Sequence, residues 1–206
     1  MTRTEPDQVT LRLGADVVQH LIPHRPPLLM VDSVSRYQRG SRPTLWASRQ
    51  ISANEPVFAG HFPGLHLWPG VYTIEGLGQT GMILSVLLHL EQRSEEQGGS
   101  PDDVLGALRN LELGYRLKPG FRPEASELLE QFRGEGPPLG MSGSVEIRLL
   151  EPVFAGCCLD YVVTLAQTVD RFTRYEVEAQ VGGSAVARGV MTGVVGSTLS
   201  PHGPPR

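Results

Sequence analysis

Along the last third of the chain, apolar and polar residues change places one by one. In "RFTRYEVEAQV", Tyr175, Val177, Ala179 and Val181 alternate with Arg174, Glu176, Glu178 and Gln180, the period of two that an antiparallel strand shows when one face is buried and the other wet. The segments "SVEIRLL", "CCLDYVVTLAQTV" and "SAVARGVMTGVV" also read as strands, and Gly182-Gly183 marks a hairpin between the last two strands. Nearer the N-terminus, "PPLLMVDSVSRY" and "RPTLWASRQIS" predict two strands around a Gly40-Ser41-Arg42 turn. The spacing in "GADVVQHLIPHR" predicts a short helix over Ala15 to Leu21, stopped by Pro23. A long helix starts near Pro69 and is apolar on nearly every side. Several antiparallel strands with one long buried helix make an α+β layout.

Part of that helix, "VYTIEGLGQTGMILSVLLHL", has the length of a membrane span. Glu75, Gln79 and three glycines argue against a span. A helix wrapped by the rest of a soluble protein is the better expectation. After it comes an extra segment of about 92–143, opening in the polar run "EQRSEEQGGS". Ser100-Pro101-Asp102-Asp103 starts one helix in this segment, with Val104, Leu105, Leu108 and Leu111 at helical spacing. A second helix is expected from Pro123, followed by a flexible return through "GEGPPLGMSGS". Residues 1–196 then form a single domain with a helical insertion, and 197–206 a disordered tail. The hexapeptide "EPVFAG" occurs at 55–60 and again at 151–156. No apolar helix with a glutamate follows the second copy, so the two are expected to be similar turns rather than a duplicated site.

Composition adds limits. A chain of 206 residues is long enough for one well-buried core. Eighteen Lys and Arg against 22 Asp and Glu give a net charge of −4, no argument for a nucleic-acid ligand. The two cysteines, Cys157 and Cys158, are adjacent and build no disulfide framework, which suggests a reducing compartment. "MTRTEPDQVT" has no apolar signal core, so the cytoplasm is the expected location.

The candidate chemistry lies in "GHFPGLHLWPGVYTIEGLGQ", residues 60–79. Glu75 interrupts an apolar helix whose neighbours Val71, Tyr72, Gly78, Gln79 and Met82 offer little solvated face. Burial disfavours the anion of a carboxylic acid, so such a group can stay a proton donor at neutral pH. Gln79, one turn on, can orient it. His61 supplies an imidazole that can accept a proton, on a loop stiffened by the Phe62-Pro63-Gly64 turn. Gly70 stands at the helix start, where a backbone N–H and the positive end of the dipole can hold a carbonyl oxygen as it gains charge.

Here the sequence resembles a known family. "LIPHRPPLLMVDSV", "NEPVFAGHFPG", "WPGV" and "EGLGQ" are similar to segments of the FabZ-type 3-hydroxyacyl-[acyl-carrier-protein] dehydratases, including the spacing from His61 to Glu75, and "RLLEPVFAGCCL" resembles a later segment of that family. The resemblance covers roughly 11–92 and 144–195 and leaves the inserted segment unmatched. It implies the hot-dog fold, an antiparallel sheet wrapped around the long helix. It also implies a homodimer, with higher assembly left open, in which His61 of one chain meets Glu75 of the other. The implied reaction is loss of water from a (3R)-3-hydroxyacyl thioester to give a trans-2-enoyl thioester. His61 would take the C2 proton and Glu75 protonate the departing hydroxyl, with Gly70 and Val71 at the thioester and Gln79 orienting Glu75. No metal or other cofactor is implied, the substrate being carried on the phosphopantetheine arm of acyl carrier protein. Fatty-acid and polyketide-like biosynthesis both suit that reaction. Glutamate at 75 is closer to the FabZ type than to the FabA type, which also isomerises. Gly76 and Gly78 stand where the family usually has alanine, and His66 where it often has proline.

Other readings compete with these. His61 and Glu75 could be a buried hydrogen-bonded pair without turnover; a hot-dog thioesterase or a non-catalytic carrier-binding subunit would share the fold. His24 reads as a residue that bonds to backbone, and His66 and His89 as structural or exposed. The cysteines are expected to pack as small apolar groups. Arg25, Arg116, Lys118, Arg122, Arg171 and Arg174 are candidates to meet an acidic carrier protein.

Overall fold

The computed structural model describes residues 8–122 and 139–196. In chain order the elements are β1 (Gln8–Gly14), α1 (Ala15–Leu21), β2 (Ser33–Gln38), β3 (Thr44–Ile51), a 3-10 turn (Pro56–Ala59), α2 (Gly70–Glu96), α3 (Pro101–Leu117), β4 (Leu139–Leu149), β5 (Cys157–Val169), β6 (Phe172–Val181) and β7 (Ser184–Gly196). The strands form one sheet in the order β1-β2-β3-β5-β6-β7-β4, antiparallel at every pairing. This sheet wraps α2, which packs on β5, β3, β6 and β4.

The alternation read from β6 sets its pleat: Tyr175, Val177 and Ala179 are buried, while Arg174 and Glu176 face out. Gly182 and Gly183 both have positive φ, the left-handed backbone a two-residue hairpin turn demands. On α2, Leu77, Ile83, Leu84 and Leu87 are fully enclosed, each contributing about 1.5–3 kcal/mol of hydrophobic stabilisation. The helix is long and apolar enough to cross a membrane, yet its apolar residues are spent as the core beneath the sheet. The glycines matter here: a Cβ on Gly76 would overlap the Tyr161 hydroxyl of β5, so helix and sheet approach more closely than alanine allows.

Helix α3 begins where expected, with a reciprocal capping box between Ser100 and Asp103, and it buries Val104, Leu105, Leu108 and Leu111. It lies against α1, α2 and the outer edge of β1. Arg109 donates to the Thr10 carbonyl at 2.9 Å and Glu112 accepts the Gly14 N–H at 2.7 Å. Backbone groups of an edge strand are thereby satisfied by side chains of the inserted helix. Across β2, α2 and α3, Tyr37 donates to Glu91, and Arg39 bridges Glu91 to Asp102. Burial first, and the Glu91 carboxylate second, push the Tyr37 hydroxyl pKa up.

Four expectations change. The stretch Gln8–Gly14, assigned to no element from sequence, is strand β1; Leu11 and Leu13 are buried, and a bulge with Arg12 at φ 59° breaks the pairing. The polar run Gln92–Glu96 ends α2 rather than opening the inserted segment, because its charges lie on the solvated last turns. The flexible return is strand from Leu139 onward, paired along β7; the second inserted helix and the 197–206 tail lie outside the described residues. Finally, the two copies of "EPVFAG" differ: Pro56–Ala59 is a 3-10 turn with Phe58 buried, whereas in the second copy Phe154 is exposed and bridges Leu67.

Candidate active site

His61 sits in the loop between the 3-10 turn and α2. Its N–H donates to the Val57 carbonyl at 2.9 Å, and Phe62 and Leu65 exchange two hydrogen bonds of 3.0 and 2.8 Å around Gly64, which has φ 82°. That turn is the stiffener expected from Phe62-Pro63-Gly64. The second "EPVFAG" copy braces the loop from the other side, with Ala155 N–H donating to the His66 carbonyl and Val153 accepting from Trp68. Proline is not needed at 66 for this bracing. The His66 ring is exposed and rests edge-on against Phe58.

The imidazole of His61 stacks on Phe62, with Nδ1 2.9 Å from the Leu67 carbonyl. A carbonyl only accepts, so Nδ1 carries a hydrogen, and in the neutral ring Nε2 is then the nitrogen that presents a lone pair. His61 and Gly70 line the same cleft, about 320 Å³ in volume, walled by Trp68, Thr73, Leu149 and Val153. Gly70 is the first residue of α2, where backbone N–H groups have no partner within the helix. A Cβ there would overlap the tip of the Leu149 side chain, so a larger residue would push this wall of the cleft aside.

Glu75 is not among the residues lining that cleft. Its Oε1 accepts from Gln79 Nε2 at 2.8 Å, and His24 Nε2 stands 3.4 Å away. Gln79 itself is 1 % exposed. Its Oε1 accepts the Met30 N–H at 2.8 Å and its Nε2 also donates to the Leu28 carbonyl at 2.7 Å. These two backbone groups fix the amide orientation, so Gln79 can offer Glu75 only N–H.

The burial expected of Glu75 is corrected: its side chain is 35 % exposed and Val71, one turn earlier, 67 %. The physical reason is that this flank of α2 faces outward, and the sheet covers the opposite side. Val71 is not among the residues that line the His61 cleft, while His24 is the imidazole beside Glu75 instead of a purely backbone-bonding residue. Arg25 donates to the Ile22 and His24 carbonyls at 2.9 and 2.7 Å, and so shapes the His24 turn. Arg116 pairs with Glu112, whereas Lys118, Arg122, Arg171 and Arg174 are exposed. His89 is exposed too. Cys157 and Cys158 are half-buried free thiols, and burial pushes both pKa values up.

Sequence reasoning missed Trp68, Thr73 and Leu149 as cleft residues. Thr73 lies three positions after Gly70 and shares its helix face, a spacing that could have revealed it. Leu149 arrives from a strand far along the chain, with no local signal.

The FabA-like domain family matches residues 22–104, which contain His24, His61, Gly70, Glu75 and Gln79. The chain is 42 % identical over 119 residues to the 3-hydroxyacyl-[acyl-carrier-protein] dehydratase FabZ of Nitratiruptor sp., covering 57 % of this chain and 77 % of that protein. It is 34 % identical over 125 residues to the FabZ of Oceanobacillus iheyensis, covering 61 % and 81 %. Other dehydratases of that name align over 46–50 % of their length. Among solved structures, the dehydratase heterocomplex ApeI:P from Xenorhabdus doucetiae aligns with 87 % of this chain and 90 % of its own at 16 % identity and TM-score 0.49, too low a likeness to bear on function. With the match to the Nitratiruptor protein spanning more than three quarters of that relative, the chain belongs to the FabZ family of 3-hydroxyacyl-[acyl-carrier-protein] dehydratases.

Proposed function

We propose that the chain removes water from a (3R)-3-hydroxyacyl thioester carried on acyl carrier protein, giving the trans-2-enoyl thioester in fatty-acid biosynthesis. The observation that carries this reading is the imidazole of His61, oriented by the Leu67 carbonyl at Nδ1, in one cleft with Gly70 at the start of α2. His61 Nε2 takes the C2 proton, and the electron pair moves toward the thioester oxygen, which the Gly70 N–H receives. A single such donor is worth about 2.7–4 kcal/mol in the transition state. The C3–O bond then breaks, and the hydroxyl leaves as water with a proton from Glu75. Trp68, Leu149 and Val153 provide an apolar wall for the acyl chain.

The acid in that cleft is Glu75 of the partner subunit. Two observations support a homodimer with shared sites. Glu75 of the same chain does not line the cleft that holds His61 and Gly70. Strand β4 lies at the end of the sheet with Val145 exposed, and Leu149 and Leu150, which line the His61 cleft, are exposed as well, while Val71 is exposed next to Glu75. Covering these apolar residues and bringing a second α2 flank to the cleft would also enclose the carboxylate.

The test is to incubate the protein with a 3-hydroxyacyl carrier thioester and follow the enoyl product by mass spectrometry. His61→Ala and Glu75→Gln should each abolish product formation. Undiminished turnover in both variants, or release of free acid and thiol instead of enoyl thioester, overturns the reading.

A further inference from the structure

Two nitrogens approach the same oxygen of Glu75. Gln79 Nε2 lies 2.8 Å from Oε1 and His24 Nε2 3.4 Å from it. The ring of His24 is held by its surroundings. The Arg25 guanidinium bonds the carbonyls on either side of Pro23, and the imidazole is only 22 % exposed. Its Nδ1 is buried with no hydrogen-bond partner among the described residues. A ring carrying its hydrogen at Nε2 leaves just a lone pair in that buried place, whereas a doubly protonated ring would strand a charged N–H there, the costlier alternative. Burial thus selects the tautomer that points N–H at Glu75.

We propose that His24 is a positioning residue for the acid of this site: together with Gln79 it holds Oε1 of Glu75 as an acceptor, so that the transferable proton sits on Oε2. This rests on the dehydratase reading, in which Glu75 protonates the departing hydroxyl. The proton passes from Oε2 to the C3 hydroxyl, the C3–O bond breaks with its electron pair going to water, and negative charge is left on the carboxylate. Both donors on Oε1 interact more strongly with that anion than with the acid, so they act on kcat rather than on substrate binding. The 3.4 Å contact is longer than a formed N–H···O bond and shortens as the charge develops.

The test compares His24→Leu, which removes the donor, with His24→Gln, whose amide nitrogen reaches the place of Nε2. His24→Leu should lower kcat about 10–100-fold with KM changed less than about 2-fold, and His24→Gln should return kcat to within about 3-fold of the wild type. Equal impairment of the two variants, or of neither, overturns the proposal. A second measurement needs no turnover: nitrogen NMR of the labelled wild-type protein should show His24 protonated at Nε2 and bare at Nδ1, with its Nε2 signal moving in Glu75→Gln. The opposite tautomer, or a signal indifferent to Glu75, also overturns it. Because this measurement is independent of activity, it separates failure of the His24 role from failure of the dehydratase reading, which a wild-type protein without turnover would reveal.

Discussion

Replacing Gln79 by methionine keeps the side-chain volume and removes three hydrogen bonds at once, to Met30 N–H, the Leu28 carbonyl and Glu75. Met30 is buried, so its N–H is left without water or protein to bond, at a cost of about 1–3 kcal/mol. The Leu28 carbonyl belongs to an exposed residue and can turn to solvent, so its loss adds about 0.5–1.5 kcal/mol. The contact to Glu75 contributes little stability, because that carboxylate is part-exposed. The sum is about 1.5–4.5 kcal/mol, which for a domain of this size lowers Tm by about 3–18 °C. Chemical denaturation with an unchanged m-value would measure the loss directly. At temperatures where the variant is still folded, kcat should also fall, since Glu75 can then rotate away from its working orientation. A variant less than about 0.5 kcal/mol weaker, with normal turnover, would show that neither backbone bond is held as described and refute the reasoning.

Three further outcomes follow from the geometry. Mixing equal amounts of His61→Ala and Glu75→Gln protein, then dissociating and reassembling it, should restore about a quarter of wild-type activity, since about half the dimers are mixed and each has one intact site; sites built within one chain would stay dead. Tyr161→Phe removes a buried hydroxyl that has no partner among the described residues, so it should leave stability unchanged or raise it by about 1 kcal/mol in thermal unfolding; a loss above about 1 kcal/mol would reveal a hidden partner. Burial raises the pKa of Cys157 and Cys158, so the thiolate fraction is lower than in free cysteine at any given pH, and thiol reagents should label the folded protein more slowly near pH 8, the gap closing as pH rises. Labelling as fast as free cysteine would contradict the packing of those side chains.

Much of the scaffold is written in local patterns. The alternation in β6, the Gly182-Gly183 turn, the Pro69 start of α2 and the capping box of α3 all depend on neighbours within a few positions, and each lies where the pattern puts it. The bonds of Gln79 to Glu75 and of the Phe62–Leu65 turn are equally local. Strand β1 was missed although Val9, Leu11 and Leu13 alternate with Thr10 and Arg12, because a short alternation with no turn signal before it competes poorly with a loop. The partners of Gln79 on Leu28 and Met30, some fifty positions away, left no trace in the pattern.

The sequence by itself determined which residues could carry the chemistry, their spacing along one loop and one helix, and the apolar periods that make the strands and helix. Tertiary structure decided what surrounds them. The same six residues, "EPVFAG", form a 3-10 turn with a buried phenylalanine at one place and an extended bridge with an exposed one at the other. Local propensity is identical in the two copies, so long-range contacts choose between conformations close in energy. The same holds at Glu75: an apolar helix suggested burial on every side, but the sheet can cover only the side it packs on. The carboxylate is left on the open flank beside His24, and the cleft of His61 opens elsewhere.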